Sequence, residues 1–160
     1  MEKSKLYISV IGEGKCDQKT YQTAYDVGQL IAERGAVLVC GGLGGVMEAA
    51  CKGAKSQNGL TVGILPSEDR KWVNPYVDVA IPTGLGEARN ALVARCADAV
   101  VAIGGQFGTL SEIALALKMG KPVVGIETWE LIKNQITDRS IMVAGKPQEA
   151  VAAVFRILRA

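Results

Sequence analysis

The sequence predicts an α/β fold: one doubly wound domain over residues 1–160, with a mostly parallel sheet and helices on both faces. Three observations predict it. Short continuous apolar runs bounded by glycine, such as Ala99-Val-Val-Ala-Ile103, read as strands buried on both sides. Segments with helical apolar spacing alternate with these runs along the chain, which is the order that builds parallel sheets. Twice, after Cys40 and after Ile103, a strand passes through a glycine-rich turn straight into a helix. In such sheets a ligand binds beyond the carboxyl ends of the strands, near the point where strand order reverses.

Composition narrows the function classes. Apolar residues make up 49% and charged residues 21% of 160 residues, which fits a soluble globular domain with a full core. A net charge of +2 gives no footprint for nucleic acid or a membrane surface. No apolar run reaches bilayer length, and the charged start Met1–Lys5 leads into a strand-length run rather than a signal peptide. The four cysteines, Cys16, Cys40, Cys51 and Cys96, form no C-x-x-C pair, and there is no histidine. A reduced, cytoplasmic protein without a metal site is expected. Without histidine, Ser-His and Cys-His nucleophiles are excluded.

The elements follow in order. Leu6–Ile11 is the first strand, and Gly12–Asp17 a loop that starts like a dinucleotide fingerprint but has Asp17 at its third glycine. Thr20–Arg34 is a helix with Ala24, Val27, Gly28 and Ile31 on one face, closed by Gly35. Ala36–Cys40 is the second strand; Gly41-Gly42-Leu43-Gly44-Gly45 turns it into a helix from Val46 to about Ser56. Asn58-Gly59 is a turn, and Thr61–Leu65 a strand stopped by Pro66. Ser67–Asp78 is the longest loop, readable as a binding segment or as solvated surface. Val79–Ile81 is a short strand, followed by a turn and a helix over Glu87–Ala97 with Arg89 and Asn90 in its first turn. The strand Ala99–Ile103, the turn Gly104–Gly108 and a helix from Thr109 to Met119 come next. Val123–Ile126 and Ser140–Val143 are the last strands, and Pro147–Leu158 a final helix begun by proline.

The glycine turns carry the chemistry. A helix leaves its first N–H groups unpaired and positive, and a glycine turn bares further N–H groups, so together they hold an anion, most often phosphate. The candidate binding residues are Gly12, Gly41, Gly42, Gly44, Gly45, Gly104, Gly105, Gln106, Phe107, Gly108 and Thr109. A tight turn with no ligand is the alternative. Glu112 lies behind the second turn, but Thr109-x-x-Glu112 also fits a capping box. Arg89 fits a phosphate partner or a surface cation paired with Glu87 or Asp98. Apolar residues on several faces of the helices after Gly45 and Gly86 predict a homo-oligomer, most simply a dimer.

Gly41-Gly-Leu-Gly-Gly-Val-Met-Glu48 resembles the first signature of the LONELY GUY-type Rossmann superfamily, often labelled lysine decarboxylase-like. Arg89 with Ala97-Asp98-Ala99 and the Gly108-Thr-x-x-Glu112 turn resembles the second. The resemblance implies a Rossmann-like fold. For the phosphoribohydrolases of that superfamily it implies a catalytic Arg89 and Glu112 that release the base of a nucleoside 5′-monophosphate. The chain departs from the hydrolase pattern: Gly104 replaces proline, Gln106 a glycine, Asn90 a lysine, and Ala88 an acidic residue. The short length of the chain and the turn Gly105-x-x-Gly108-Thr-Leu-Ser-Glu112 are similar to the branch of molybdenum-cofactor carrier proteins. That branch implies a phosphate-bearing pterin bound without chemistry, and with the superfamily as a whole the expected ligand is pterin-like or nucleotide-like, molybdopterin or a nucleoside monophosphate.

Overall fold

The structure, a computed structural model, describes residues 4–160; the first three residues of the charged start lie outside it. The elements are β1 (Tyr7–Gly12), α1 (Gln18–Glu33), β2 (Val37–Cys40), α2 (Val46–Lys55), β3 (Thr61–Leu65) and β4 (Val79–Pro82). A 3₁₀ turn (Gly86–Arg89) leads into α3 (Asn90–Cys96), followed by β5 (Ala99–Ile103), α4 (Phe107–Lys118) and β6 (Val123–Ile126). The chain ends with β7 (Leu131–Lys133), β8 (Ile136–Asp138), β9 (Ile141–Val143) and α5 (Pro147–Arg159).

Seven strands form one sheet in the order β4-β3-β2-β1-β5-β6-β9, and every neighbouring pair is parallel. The chain builds outward from β1 through β2, β3 and β4, then crosses back to β5 on the other side of β1. The expected doubly wound sheet is therefore present, and its order reverses between β1 and β5. In register, Gly12 of β1 lies opposite Ile103 of β5.

Alternating side chains of the central strands feed two cores. Ile8, Val10, Leu38, Val101 and Val124 pack beneath α1, α2 and α5. Ile11, Val39, Val100, Ala102 and Val123 pack beneath α3 and α4. The helices α1 and α2 touch backbone to backbone: a Cβ on Gly28 would stand 1.9 Å from the Ala50 carbonyl oxygen, and one on Gly53 1.9 Å from that of Tyr25. This contact explains the broad apolar coverage of α2. Val46, Ala49, Ala50, Cys51 and Ala54 are buried within the chain, against α1 and the sheet. That half of the argument for a homo-oligomer is thereby removed. On α3, Leu92 remains 37% exposed.

Three local readings differ from the sequence. Asp17 is the N-cap of α1, accepting from the Thr20 N–H at 2.8 Å, so the helix starts at Gln18. The bonds from Thr20 hold its carboxyl below the usual range. The predicted helix over Glu87–Ala97 is split into the 3₁₀ turn and α3. A small antiparallel hairpin, β7–β8, turns on Asn134 and Gln135, both with positive φ. No helix among the described residues is long and apolar enough to cross a membrane.

Candidate functional site

Beyond the carboxyl ends of β1 and β5 the chain diverges into the Gly12–Asp17 and Gly104–Gln106 turns, opening a crevice. One cavity there, about 600 Å³, brings together Gly12, Gly41, Gly44, Arg89, Gln106, Gly108, Thr109 and Glu112. Gly104 and Gly105 line a neighbouring cavity of about 520 Å³. Gly42, Gly45 and Phe107 line neither. Glu13 lines both.

The helix α4 begins at Phe107, with Gln106 as its N-cap and no side chain capping it. Thr109 lies inside the first turn, so the capping box with Glu112 does not form. Gly105 sets this start: its φ is +104°, and a Cβ there would stand 2.4 Å from the Thr109 Cβ. Gly108 differs, because a Cβ on it would meet nothing within 4 Å. The N–H groups of the first turn of α4 have no partner within the helix.

Glu112 turns inward. Its Oε1 lies 3.8 Å from Nη1 of Arg89, and both side chains are buried. Arg89 is only 9% exposed and so is not a surface cation. Its Nη1 donates to Oδ1 of Asn90 and its Nη2 to the Gly41 carbonyl at 3.5 Å, while Nε is buried with no partner among the described residues. The Nδ2 of Asn90 donates to Ser111 Oγ at 3.0 Å, and that hydroxyl donates to the Gly108 carbonyl at 2.6 Å. Asn90, standing where the hydrolase pattern has lysine, therefore ties Arg89 to the start of α4. Burial pushes the Glu112 carboxyl up to about 7, against the pull of Arg89. Burial lowers the Arg89 pKa and Glu112 opposes it; a guanidinium stays charged throughout.

The two glycine turns are not equivalent. At the first, Gly45 has φ +60° and packs on the chain before it, where a Cβ would stand 2.3 Å from the Glu13 carbonyl oxygen. That carbonyl accepts the Val46 N–H at 3.0 Å, and Cys40 Sγ accepts the Gly42 N–H at 3.3 Å. Two donors of the α2 turn are thus bonded inside the chain, as are two of the α4 turn, where the Gly104 N–H donates to the Ile126 carbonyl and the Gly105 N–H to the Glu13 carboxylate, each at 3.1 Å. Cys40 Sγ lies 3.5 Å from Cys51 Sγ, and hydrogen bonding to Cys40, with burial, drives the Cys51 thiol up. The long loop contributes Asn74: its backbone N–H donates to the Gly42 carbonyl and its Nδ2 to the Leu43 carbonyl, each at 2.9 Å. It fastens the first glycine turn rather than covering the cleft.

Sequence reasoning missed Glu13. Its carboxylate accepts the Gly105 N–H at 3.1 Å, joining the two turns at the switch point. The signal was its place, directly after the last residue of β1. Among the described residues no cluster of histidine, cysteine or carboxylate side chains suits a metal ion.

The arrangement offers an anion the bare end of α4, a buried guanidinium and a carboxyl group able to give or take a proton near neutrality. Comparisons with known proteins bear on this site. A protein of Archaeoglobus fulgidus is 48% identical over 146 residues, 91% of this chain and 92% of its own. The molybdenum cofactor binding protein of the phototrophic bacterium Rippkaea orientalis superposes with a TM-score of 0.88 at 41% identity, covering 97% of this chain and 98% of that one. The molybdenum cofactor carrier protein of Chlamydomonas reinhardtii gives a TM-score of 0.86 at 35% identity, covering 98% of this chain and all of that one. The SLOG cluster4 family profile matches residues 5–151, across both glycine turns, Arg89 and Glu112. With the sheet order, the motif order and a match over nearly its whole length in agreement, the chain belongs to the SLOG cluster4 family.

Proposed function

We propose that this protein binds a phosphate-bearing pterin, the molybdenum cofactor or its metal-free form, as cargo in the cleft between the β1, β2 and β5 ends, as a carrier. One observation carries the reading: a buried guanidinium with an unpartnered Nε stands beside the unpaired N–H groups of α4, in a cavity of about 600 Å³. A buried donor without a partner is costly, and a phosphate oxygen is the acceptor that geometry and charge favour. The related proteins of Rippkaea and Chlamydomonas, named for the same cofactor, support the choice of cargo. In this reading Gly108 and Thr109 face the phosphate through their N–H groups, and Gly12, Gly41 and Gly44 shape the wall.

The test is a thermal-shift series on the purified chain with molybdenum cofactor handled anaerobically, AMP and ribose 5-phosphate. A ligand at a hundred times its Kd stabilises by about 2.7 kcal/mol. Stabilisation by the cofactor, lost in Arg89→Ala, is expected. Absence of stabilisation by every phosphate compound overturns the reading.

The Glu112–Arg89 pair favours a second reading, phosphoribohydrolysis. A carboxyl near 7 is tuned for proton transfer, and a carboxylate beside an anomeric carbon stabilises an oxocarbenium-like state. We expect little or no base release from AMP, since Asn90 and Ala88 leave fewer groups to position ribose and base. Steady-state turnover abolished by both Glu112→Gln and Arg89→Ala would replace the carrier with the hydrolase. The assembly we propose is a two-fold dimer through the α3 side, where Leu85 and Leu92 are 52% and 37% exposed; monomers in light scattering at micromolar concentration would exclude it.

A further inference from the structure

The second cavity, about 520 Å³, lies across Glu13 from the phosphate cleft and has one aromatic side chain in its lining. Trp129 lines it and is fixed to the same turn, its indole N–H donating to the Gln106 carbonyl at 3.1 Å. Phe107, the first residue of α4, stands beside it with ring centroids 5.6 Å apart and planes 34° from parallel. Phe107 is 78% exposed, an apolar ring left in water at the mouth of an anion site. Aromatic faces placed this way are platforms for planar rings.

The polar lining sets what kind of ring fits. Glu13, Glu127 and Glu130 contribute carboxylates, and Thr20, Thr23 and Thr128 hydroxyls. The nearby cation, Lys19, is paired with Glu127 at 2.7 Å. Such a lining repels a second phosphate and accepts N–H donors. Glu13 already takes the Gly105 N–H, and Glu127 takes Lys19. Among the described residues, Glu130 alone of the three carboxylates has no partner.

We propose that this cavity receives the heterocycle of the ligand, a 2-amino-4-oxopyrimidine ring of the kind shared by guanine and pterins. The ring stacks on Trp129, whose face Phe107 extends beyond the cavity rim, and gives its ring N–H and amino N–H to Glu130. Two adjacent donors match the two oxygens of one carboxylate, a charge-assisted bidentate pair. The phosphate stays on the other side of Glu13, at α4 and Arg89, so the ligand spans both cavities. This inference rests on the phosphate reading above for its orientation.

The experiment titrates the parent chain with GMP, IMP, ribose 5-phosphate and guanosine by calorimetry. GMP and IMP differ only in the 2-amino group. GMP is expected to bind about tenfold or more tighter than IMP, the usual cost of losing one hydrogen bond to a charged group. Ribose 5-phosphate should bind more weakly than either. Glu130→Gln should collapse the GMP-to-IMP ratio towards one, and Phe107→Ala, at an exposed position that leaves the fold intact, should weaken GMP. Equal affinities for GMP, IMP and ribose 5-phosphate would overturn the inference while leaving the phosphate reading standing. Guanosine bound as tightly as GMP, with no binding of ribose 5-phosphate, would support the ring site and defeat the phosphate reading. Failure of GMP to bind at all would also overturn the inference.

Discussion

At the scale of residues, Glu112 is the group on which pH acts. Its folded-state carboxyl titrates near 7, above its ordinary value of 4.5. The folded protein therefore holds a proton that the unfolded chain has released. Stability from this group is fully present below pH 4.5 and is lost as pH rises through about 7, a span worth about 3 kcal/mol. Denaturant titrations of the parent should show that decline between about pH 5 and 8, and Glu112→Gln should flatten it. A parent with constant stability across the window would place the carboxyl in an ordinary environment. Binding follows the same sign: an anion on α4 favours the neutral carboxyl, so parent affinity should fall relative to Glu112→Gln as pH rises past 7. Gly108 gives a second prediction. Since a Cβ there meets open space, Gly108→Val should keep its melting temperature within a few degrees yet lose phosphate ligands. A variant that binds like the parent would put the anion elsewhere. Arg89 and Glu112 were legible as motif members. Their meeting was not, because the Thr109–Glu112 spacing also suits a cap, and only the φ of Gly105 moves the helix start to Phe107.

At the scale of elements, the two strand–turn–helix units look alike in sequence and differ in bonding. The α2 turn is held by the Glu13 carbonyl, Cys40 and Asn74, and the α4 turn by the Glu13 carboxylate, the Ile126 carbonyl and Thr128. Asn74→Ala removes the bond to the Leu43 carbonyl and the one that Oδ1 accepts from the Tyr76 N–H at 3.0 Å. Its expected cost is about 1–3 kcal/mol, read as a lower urea midpoint at unchanged slope. Ligand binding should weaken with it, since Leu43 and Gly44 line the cleft. An unchanged midpoint would mean the loop does not hold the turn. Sequence periodicity found every strand of the main sheet because each is a short apolar run. It missed β7 and β8, three residues each, whose pattern is set by a turn at Asn134–Gln135 rather than by burial. The apolar breadth of α2 was equally plain, but its cause was a neighbouring helix and not a neighbouring subunit.

At the scale of the whole molecule, alternation of strand and helix was enough to predict the doubly wound sheet, while the partners of β1 were not readable from any local signal. That central placement has a kinetic side. Tyr7 and Asp98 are bonded across 91 positions, and Glu13 and Gly105 across 92. Loop closure on that scale precedes any reward from pairing, and folds dominated by such contacts refold in milliseconds to seconds. The cleft exists only once β5 has docked beside β1, so an emerging or partly folded chain has no cleft in which to hold a ligand. Added ligand should therefore leave the refolding arm of a chevron where it is and slow the unfolding arm alone. Stopped-flow traces with and without the molybdenum cofactor measure this directly; a ligand that accelerates refolding would mean the grip forms before the sheet closes.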